Sequence, residues 1–117
     1  MNWKKYFSKD KEIILVSAST GGLPNASIVV SVGLSGDEVL VANCHLFTTV
    51  KNIKENKNVC LVGGYFRIKG EAKIFTKGRH FDLCVKENKG YSVPVSSAIL
   101  VKIKEVFDLD KVKAINI

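Results

Sequence analysis

No run of apolar residues in this chain approaches the roughly 18 to 20 needed to cross a bilayer. The start, Met1-Asn2-Trp3-Lys4-Lys5-Tyr6-Phe7, passes into charged residues and lacks the apolar core of a signal peptide. Cysteine is sparse: Cys44, Cys60 and Cys84 are odd in number, widely spaced and form no Cys-x-x-Cys pair. That excludes a disulfide framework and points to a reducing, cytoplasmic setting. Arginine occurs only at Arg67 and Arg79, and histidine only at His45 and His80. Neither histidine sits in a nucleophile motif, and there is no Gly-x-Ser-x-Gly, no Walker-type loop and no Gly-x-Gly-x-x-Gly after a strand. Acidic residues are scattered, so no carboxylate pair can be argued. No basic cluster marks a dedicated nucleic-acid arm.

What is present suits one globular domain spanning 1–117. A chain of 117 residues with 46% apolar content can bury a core without staples. The net charge of +7 comes from lysines spread along the chain. Most of them read as a solvated surface, but the excess favours anionic ligands such as phosphates.

Patterning predicts a β-rich fold. Trp3, Tyr6 and Phe7 at helical spacing predict a short aromatic helix over 2–8. Strands are expected at 12–19, 26–34 and 38–43, joined by Thr20-Gly21-Gly22-Leu23-Pro24-Asn25 and Ser35-Gly36-Asp37 as an antiparallel meander. Along the second strand, Ser27, Val29 and Ser31 share one face, and Ile28, Val30 and Val32 the other. A helix is expected over 49–56, then strands at 58–63 and 65–76, with Gly70 as a bulge or close-approach point. A second helix over 78–89 should turn Phe81, Val85 and Cys84 inward. Residues 90–94 read as a loop, 97–107 as the sixth strand, and the tail after Asp108 as short and mixed. Six antiparallel strands and two or three short helices fit a closed or partly closed barrel.

Two groups could carry chemistry. Cys44 adjoins His45, and His80 and Cys84 lie four apart on one helix, so four N/S ligands could be assembled. None has finger-type spacing, and the reading adopted is no metal site. The stronger signal is the strand-to-helix junction Asn43-Cys44-His45-Leu46-Phe47-Thr48-Thr49. The first N–H groups of a helix are unpaired and carry positive dipole character. Thr48 and Thr49 there could bind a phosphate, or Thr48 could simply cap the helix.

The segment 16–27, Val-Ser-Ala-Ser-Thr-Gly-Gly-Leu-Pro-Asn-Ala-Ser, resembles the opening hairpin of the pyridoxamine 5'-phosphate oxidase-like, FMN-binding split-barrel superfamily. Residues 49–59 are similar to its Thr-x-x-Asn-Leu/Val-x-x-(Asn/Asp)-x-x-Val segment, and 65–72 to its later strand with a Gly-x-Ala element. The likeness runs over about 12–106, and the small FMN-binding proteins of the superfamily are the type it points to. It implies a mainly β, six-stranded antiparallel split barrel, a homodimer, and one flavin per subunit near the interface. By that resemblance, Ser27, Ile28, Val29 and Val30 lie along the flavin ring. Asn43, Cys44, His45, Leu46, Thr48 and Thr49 hold the ring edge and phosphate. Tyr91, Pro94 and Val95 of the partner close over the ring. Many members place Lys or Arg where this chain has Thr48, and Lys51 is the candidate substitute. Losing one charge-assisted contact costs about 1.5 to 3 kcal/mol.

The resemblance implies an oxidoreductase or electron-transfer flavoprotein with FMN and an unknown electron donor or acceptor. Two arginines are few for a second phosphate, which argues against pyridoxamine-phosphate oxidation itself. His45 is the one candidate general acid or base. Two alternatives stand beside this: a non-enzymatic module of the same fold holding F420, haem or nothing, and a small barrel binding single-stranded nucleic acid. For the last, Tyr65, Phe66 and Phe75 form no clear stacking platform.

Overall fold

In the computed structural model, which describes residues 2–88 and 93–117, the alternating apolar runs become seven antiparallel strands. They are β1 (Glu12–Ala18), β2 (Pro24–Ser35), β3 (Glu38–Asn43), β4 (Asn58–Gly63), β5 (Phe66–Phe75), β6 (Ser97–Asp108) and β7 (Lys113–Ile115). Helix α1 (Phe47–Glu55) joins β3 to β4, and α2 (Arg79–Glu87) joins β5 to β6. The sheet order is β3-β2-β1-β4-β5-β6, and β3 pairs with β6 to close a six-stranded barrel. Among the described residues, no helix is long and apolar enough to cross a membrane.

A period of two along the strands is what fills the barrel. Ile13 and Leu15 of β1, Val59 and Leu61 of β4, and Phe66 and Ile68 of β5 all point inward and are buried. The short helix is a 3-10 turn over Trp3–Phe7. Phe7 is fully buried, and Trp3 meets it edge-on with ring centroids 6.1 Å apart. Tyr6 stays half-buried against Phe66, with centroids 5.6 Å apart.

Three expectations change. The tail contains β7, which pairs Lys113, Ala114 and Ile115 with Asp108, Phe107 and Val106. Asp108 makes the turn by accepting from the Asp110 and Lys111 N–H groups. A three-residue strand carries too little alternation to be read from sequence. On α2, Cys84 is fully buried and Phe81 packs beside it, but Val85 is exposed. The inward stripe runs through 81, 84 and 88, and residue 85 lies about 100° round the helix from 84. Finally, α1 starts at Phe47 rather than Thr49.

Gly70 lies at the β5–β6 irregularity, where the register shifts between Lys69 and Gly70. A Cβ there would collide with the Lys102 carbonyl oxygen and the Val101 side chain. Backbone cannot yield as a side-chain tip can, so this is a close-approach glycine. Gly70→Ala should destabilise the fold by about 1 to 3 kcal/mol, the usual range for overpacking. Urea unfolding of the two proteins checks this, and equal midpoints would show that the two strands can separate to fit a methyl group.

Candidate functional site

The site follows from how β2 divides its partners. Over Pro24–Val30, β2 pairs with β1. Its pairing with β3 begins only at Ser31↔Val41, and the register shifts between Ser31 and Gly33. Among the described residues, the β3-facing edge of β2 over 24–30 therefore has no strand partner, while β3 continues to Asn43 paired with β6. The barrel splits there, and main-chain groups of β2 line the split.

A cleft of about 250 Å³ occupies it. Ile28, Val29, Val30, Ser31 and Val32 form one wall, and Ala42, Cys44, His45 and Leu46 the other. Cys84 and Glu87 of α2 and Asn88, its C-cap, border it, with Asp10 and Glu12 at the end of β2 nearest β1's start. The cleft thus combines an apolar wall, main-chain edges and a few polar side chains, a usual composition for a small-molecule site.

Of the expected residues, Ile28, Val29, Val30, Cys44, His45 and Leu46 come together in this cleft. Asn43 lies behind it as an anchor. It is buried, its Nδ2 donates to Ser97 Oγ at 2.9 Å, and its Oδ1 accepts from the Leu46 N–H at 2.7 Å. That bond orders the turn and moves the helix start forward. Leu46 is the N-cap residue and makes no side-chain cap, so Thr48 is a helical residue and not the cap. Thr48 and Lys51 are exposed on the first turns of α1. Thr49 is fully buried and faces the barrel. Its hydroxyl accepts from Asn25 Nδ2 at 3.1 Å and shares a hydrogen bond with Ser27 Oγ at 3.3 Å. Pro94 is exposed and Val95 packs against the α2 cluster, neither in the cleft of its own chain. Tyr91 lies outside the described residues.

The sequence missed Asp10, Glu12, Ser31, Val32, Ala42, Cys84, Glu87 and Asn88. Extending the β2 strand pattern reaches Ser31 and Val32. Nothing local announces that α2 packs on β3. Cys84 and Asn88, one turn apart, do so through weak contacts: Cys84 Sγ to the Val41 carbonyl at 3.9 Å and Cys44 Sγ to Asn88 Oδ1 at 3.8 Å.

Burial raises the Cys44 thiol above its ordinary range. Burial, with Cys44 adding to it, pushes Cys84 up from 9.0 to about 11. Both thiols are neutral near pH 7 and are poor nucleophiles. The metal question separates in space: Cys44, His45 and Cys84 border this cleft, while His80 stacks on Phe75 with centroids 5.0 Å apart.

Similarity to known proteins fits this geometry. No family model matches the chain. An uncharacterized protein of Methanocaldococcus jannaschii is 26% identical over 113 residues, which cover 87% of this chain and 76% of that one. Among solved structures, HupZ of Group A Streptococcus superposes with a TM-score of 0.81 at 18% identity, covering 90% of each chain. An FMN-binding protein from Syntrophomonas wolfei gives 0.71 at 17% identity, over 81% of this chain and 74% of that one. A Clostridium acetobutylicum protein of the pyridoxinephosphate oxidase family gives 0.65 at 13% identity, over 86% and 87%. The fold is the split β-barrel of the pyridoxamine 5'-phosphate oxidase-like proteins. In this split barrel the gap between β2 and β3 is the feature that makes a cleft.

Two outcomes are expected. Thr49→Ala removes a buried hydroxyl and strands the Asn25 amide, so stability should fall by about 1 to 3 kcal/mol in urea unfolding. A loss below half of that would mean water replaces the hydroxyl. For Cys84, the folded pKa lies above the unfolded one, so its proton is held longer in the fold. The stability this lends is complete below about pH 9 and is lost as pH rises towards 11. The urea midpoint should therefore drop between about pH 8 and about pH 10.5 by more in wild type than in Cys84→Ala. Equal drops would assign the pH dependence to other groups.

Proposed function

We propose that the chain binds FMN in the β2/β3 cleft, as a homodimer, and acts as an oxidoreductase or electron-transfer flavoprotein. The observation that carries this is the unpaired β2 edge at 24–30. A flavin ring presents carbonyls and ring nitrogens along one edge and apolar faces on either side. The main-chain N–H and C=O groups of Ile28 and Val30, which alternate with those given to β1, match that edge, and the valine and leucine walls match the faces. Cys44, His45 and Leu46 would border the ring from β3. The N-terminal N–H groups of α1 at Phe47, Thr48 and Thr49, with the Thr48 hydroxyl and Lys51, would hold the phosphate. When bound, the flavin supplies hydride or electron chemistry, and the chain's part is binding, orientation and exclusion of water. His45, exposed at the cleft, is placed to exchange a proton with a ligand there.

The outer face of β2-β1-β4 supports the dimer. Ile28, Ile14 and Val62 stand in register across it, followed by Ala26, Val16 and Cys60. Ile28 is 73% exposed and Ile14 39%. Next to Val62 across the sheet, Arg67 lies over Phe107 at 4.9 Å, with its Nε buried and without an acceptor among the described residues. A second copy would cover this face and supply an acceptor. Because Ile28 belongs to both face and cleft, that copy would abut the ring.

One feature favours a second reading, a non-enzymatic module for F420, haem or no cofactor: Thr48 supplies no charge to a phosphate. Titration of the purified chain with FMN separates the two. One flavin per chain, with quenched fluorescence, is expected. Supplying a cation with Thr48→Lys should tighten binding about ten- to 150-fold, the equivalent of a charge-assisted hydrogen bond of about 1.5 to 3 kcal/mol. A colourless protein that takes up no FMN would sink the flavin reading. Sedimentation should give a dimer for wild type and a monomer for Ile14→Lys.

A further inference from the structure

Arg67 has a costly setting for a cation. It stands half-buried on the outer face of β5, with its guanidinium over Phe107. Among the described residues, its buried Nε meets no acceptor and no carboxylate pairs with it. Buried charged donors are normally answered by a partner, and one left unanswered is destabilising. The proposed phosphate subsite has the complementary lack. The first turn of α1, Phe47-Thr48-Thr49-Val50, offers N–H groups and a hydroxyl but no cation.

Symmetry brings the two together. Ile28, Ile14, Val62 and Arg67 form one row across β2, β1, β4 and β5. The first three are apolar, and β1 is the middle strand of that apolar stretch. A two-fold axis along β1 therefore covers the whole stretch with itself: Ile14 meets the partner's Ile14, and Ile28 meets the partner's Val62. An axis between β1 and β4 would instead set Ile28 against the partner's Arg67. The axis on β1 also fixes the next position out. On one side of β1 the second strand is β5; on the other, the second place is the one that β3 leaves vacant over 24–30. Each lies about 10 Å from β1. Arg67 of each copy thus comes to lie over the partner's cleft, level with Ile28. Were β3 to continue in register from Ser31↔Val41, Cys44 would stand at that level, and Cys44 lines the far wall. The N-terminus of α1 is close by, since the Thr49 hydroxyl meets that of Ser27, the neighbour of Ile28, at 3.3 Å.

We infer that Arg67 completes the phosphate subsite of the second copy: its guanidinium takes the ligand phosphate held at the partner's α1 N-terminus and supplies the charge that Thr48 does not. The planar fork of a guanidinium matches two phosphate oxygens at once. This assignment rests on the proposed flavin site and dimer, and it makes each site incomplete in a single chain.

The test titrates the whole chain with FMN and with riboflavin, which has the same ring and no phosphate. Arg67→Gln should weaken FMN binding about ten- to 150-fold and leave riboflavin binding within about twofold, with the dimer retained in sedimentation. Arg67→Lys keeps the charge but not the fork, so it should weaken FMN alone by a smaller factor, and it carries the comparison if Arg67→Gln does not dimerise. Mixed dimers show which chain supplies the cation. One chain carries Arg67→Gln, and the other carries Cys44→Trp, which fills its cleft. One tight FMN per mixed dimer is expected, because the open cleft then meets an intact Arg67 from the other chain. No tight site in the mixed dimer would overturn the inference, as would equal losses of FMN and riboflavin in a dimeric Arg67 variant. FMN uptake by wild type with unchanged affinity in Arg67→Gln removes the role of Arg67 and keeps the flavin reading. Uptake of neither flavin by wild type removes both.

Discussion

Strand β2 cannot pair fully with both of its neighbours, and the rest of the molecule is arranged around that constraint. It gives its first half to β1 and its second half to β3. Ser31 stands at the changeover and is held on every side. Its Oγ donates to the Phe7 carbonyl at 2.7 Å, its N–H to the Lys11 carbonyl, and its carbonyl accepts from Asp10. A buried serine with these partners fixes the position where the sheet opens. An unpaired strand edge is a liability in an ordinary barrel, since it can recruit another chain. Here the edge opens into a cleft bordered by α2 and the β3 turn, which is where main-chain hydrogen bonding becomes available to a ligand.

The helices serve that opening in different ways. Helix α1 is fastened from below by buried polar contacts: Thr49 to Asn25 and Ser27, and Asn52 Nδ2 to Ser17 Oγ at 3.2 Å. These bonds use up the Thr49 hydroxyl but hold the helix N-terminus still beside the cleft. Helix α2 is fastened by a small apolar cluster, in which Cys84 meets Leu40, Ala98 and Leu100. Its C-terminal half then borders the cleft, and the Lys9–Glu87 pair ties it to the turn before β1. A neutral Cys84 suits that place, since a thiolate buried against leucine would pay a large desolvation cost.

The strands were legible because their signal is local. Short β-rich runs at 12–19, 26–34, 38–43, 58–63 and 65–76 bounded by turn residues report strands locally, and along 26–34 the alternation separates the two faces. Gly70 was legible for the same reason, as a residue without a side chain inside an otherwise alternating strand. The helix start at 47 was not. It depends on Asn43 reaching three residues forward to Leu46, a choice that Thr48 and Thr49 could equally have made. Val85 was misplaced because the stripe on a nine-residue helix is set by the surface it meets.

The sequence by itself determined a β-rich chain of antiparallel strands and the two faces of β2, and by resemblance it pointed to Ile28–Val30 and Cys44–Leu46, which meet in one cleft. Only the tertiary structure decided that β2 changes partners at Ser31, that Thr49 turns inward, and that Asp10, Glu12 and Glu87 border the same cleft. The physical reason is range. Alternation and turn chemistry act over a few residues, whereas strand partnership and helix docking join positions dozens of residues apart, as Lys9 to Glu87 does, and no local pattern encodes them.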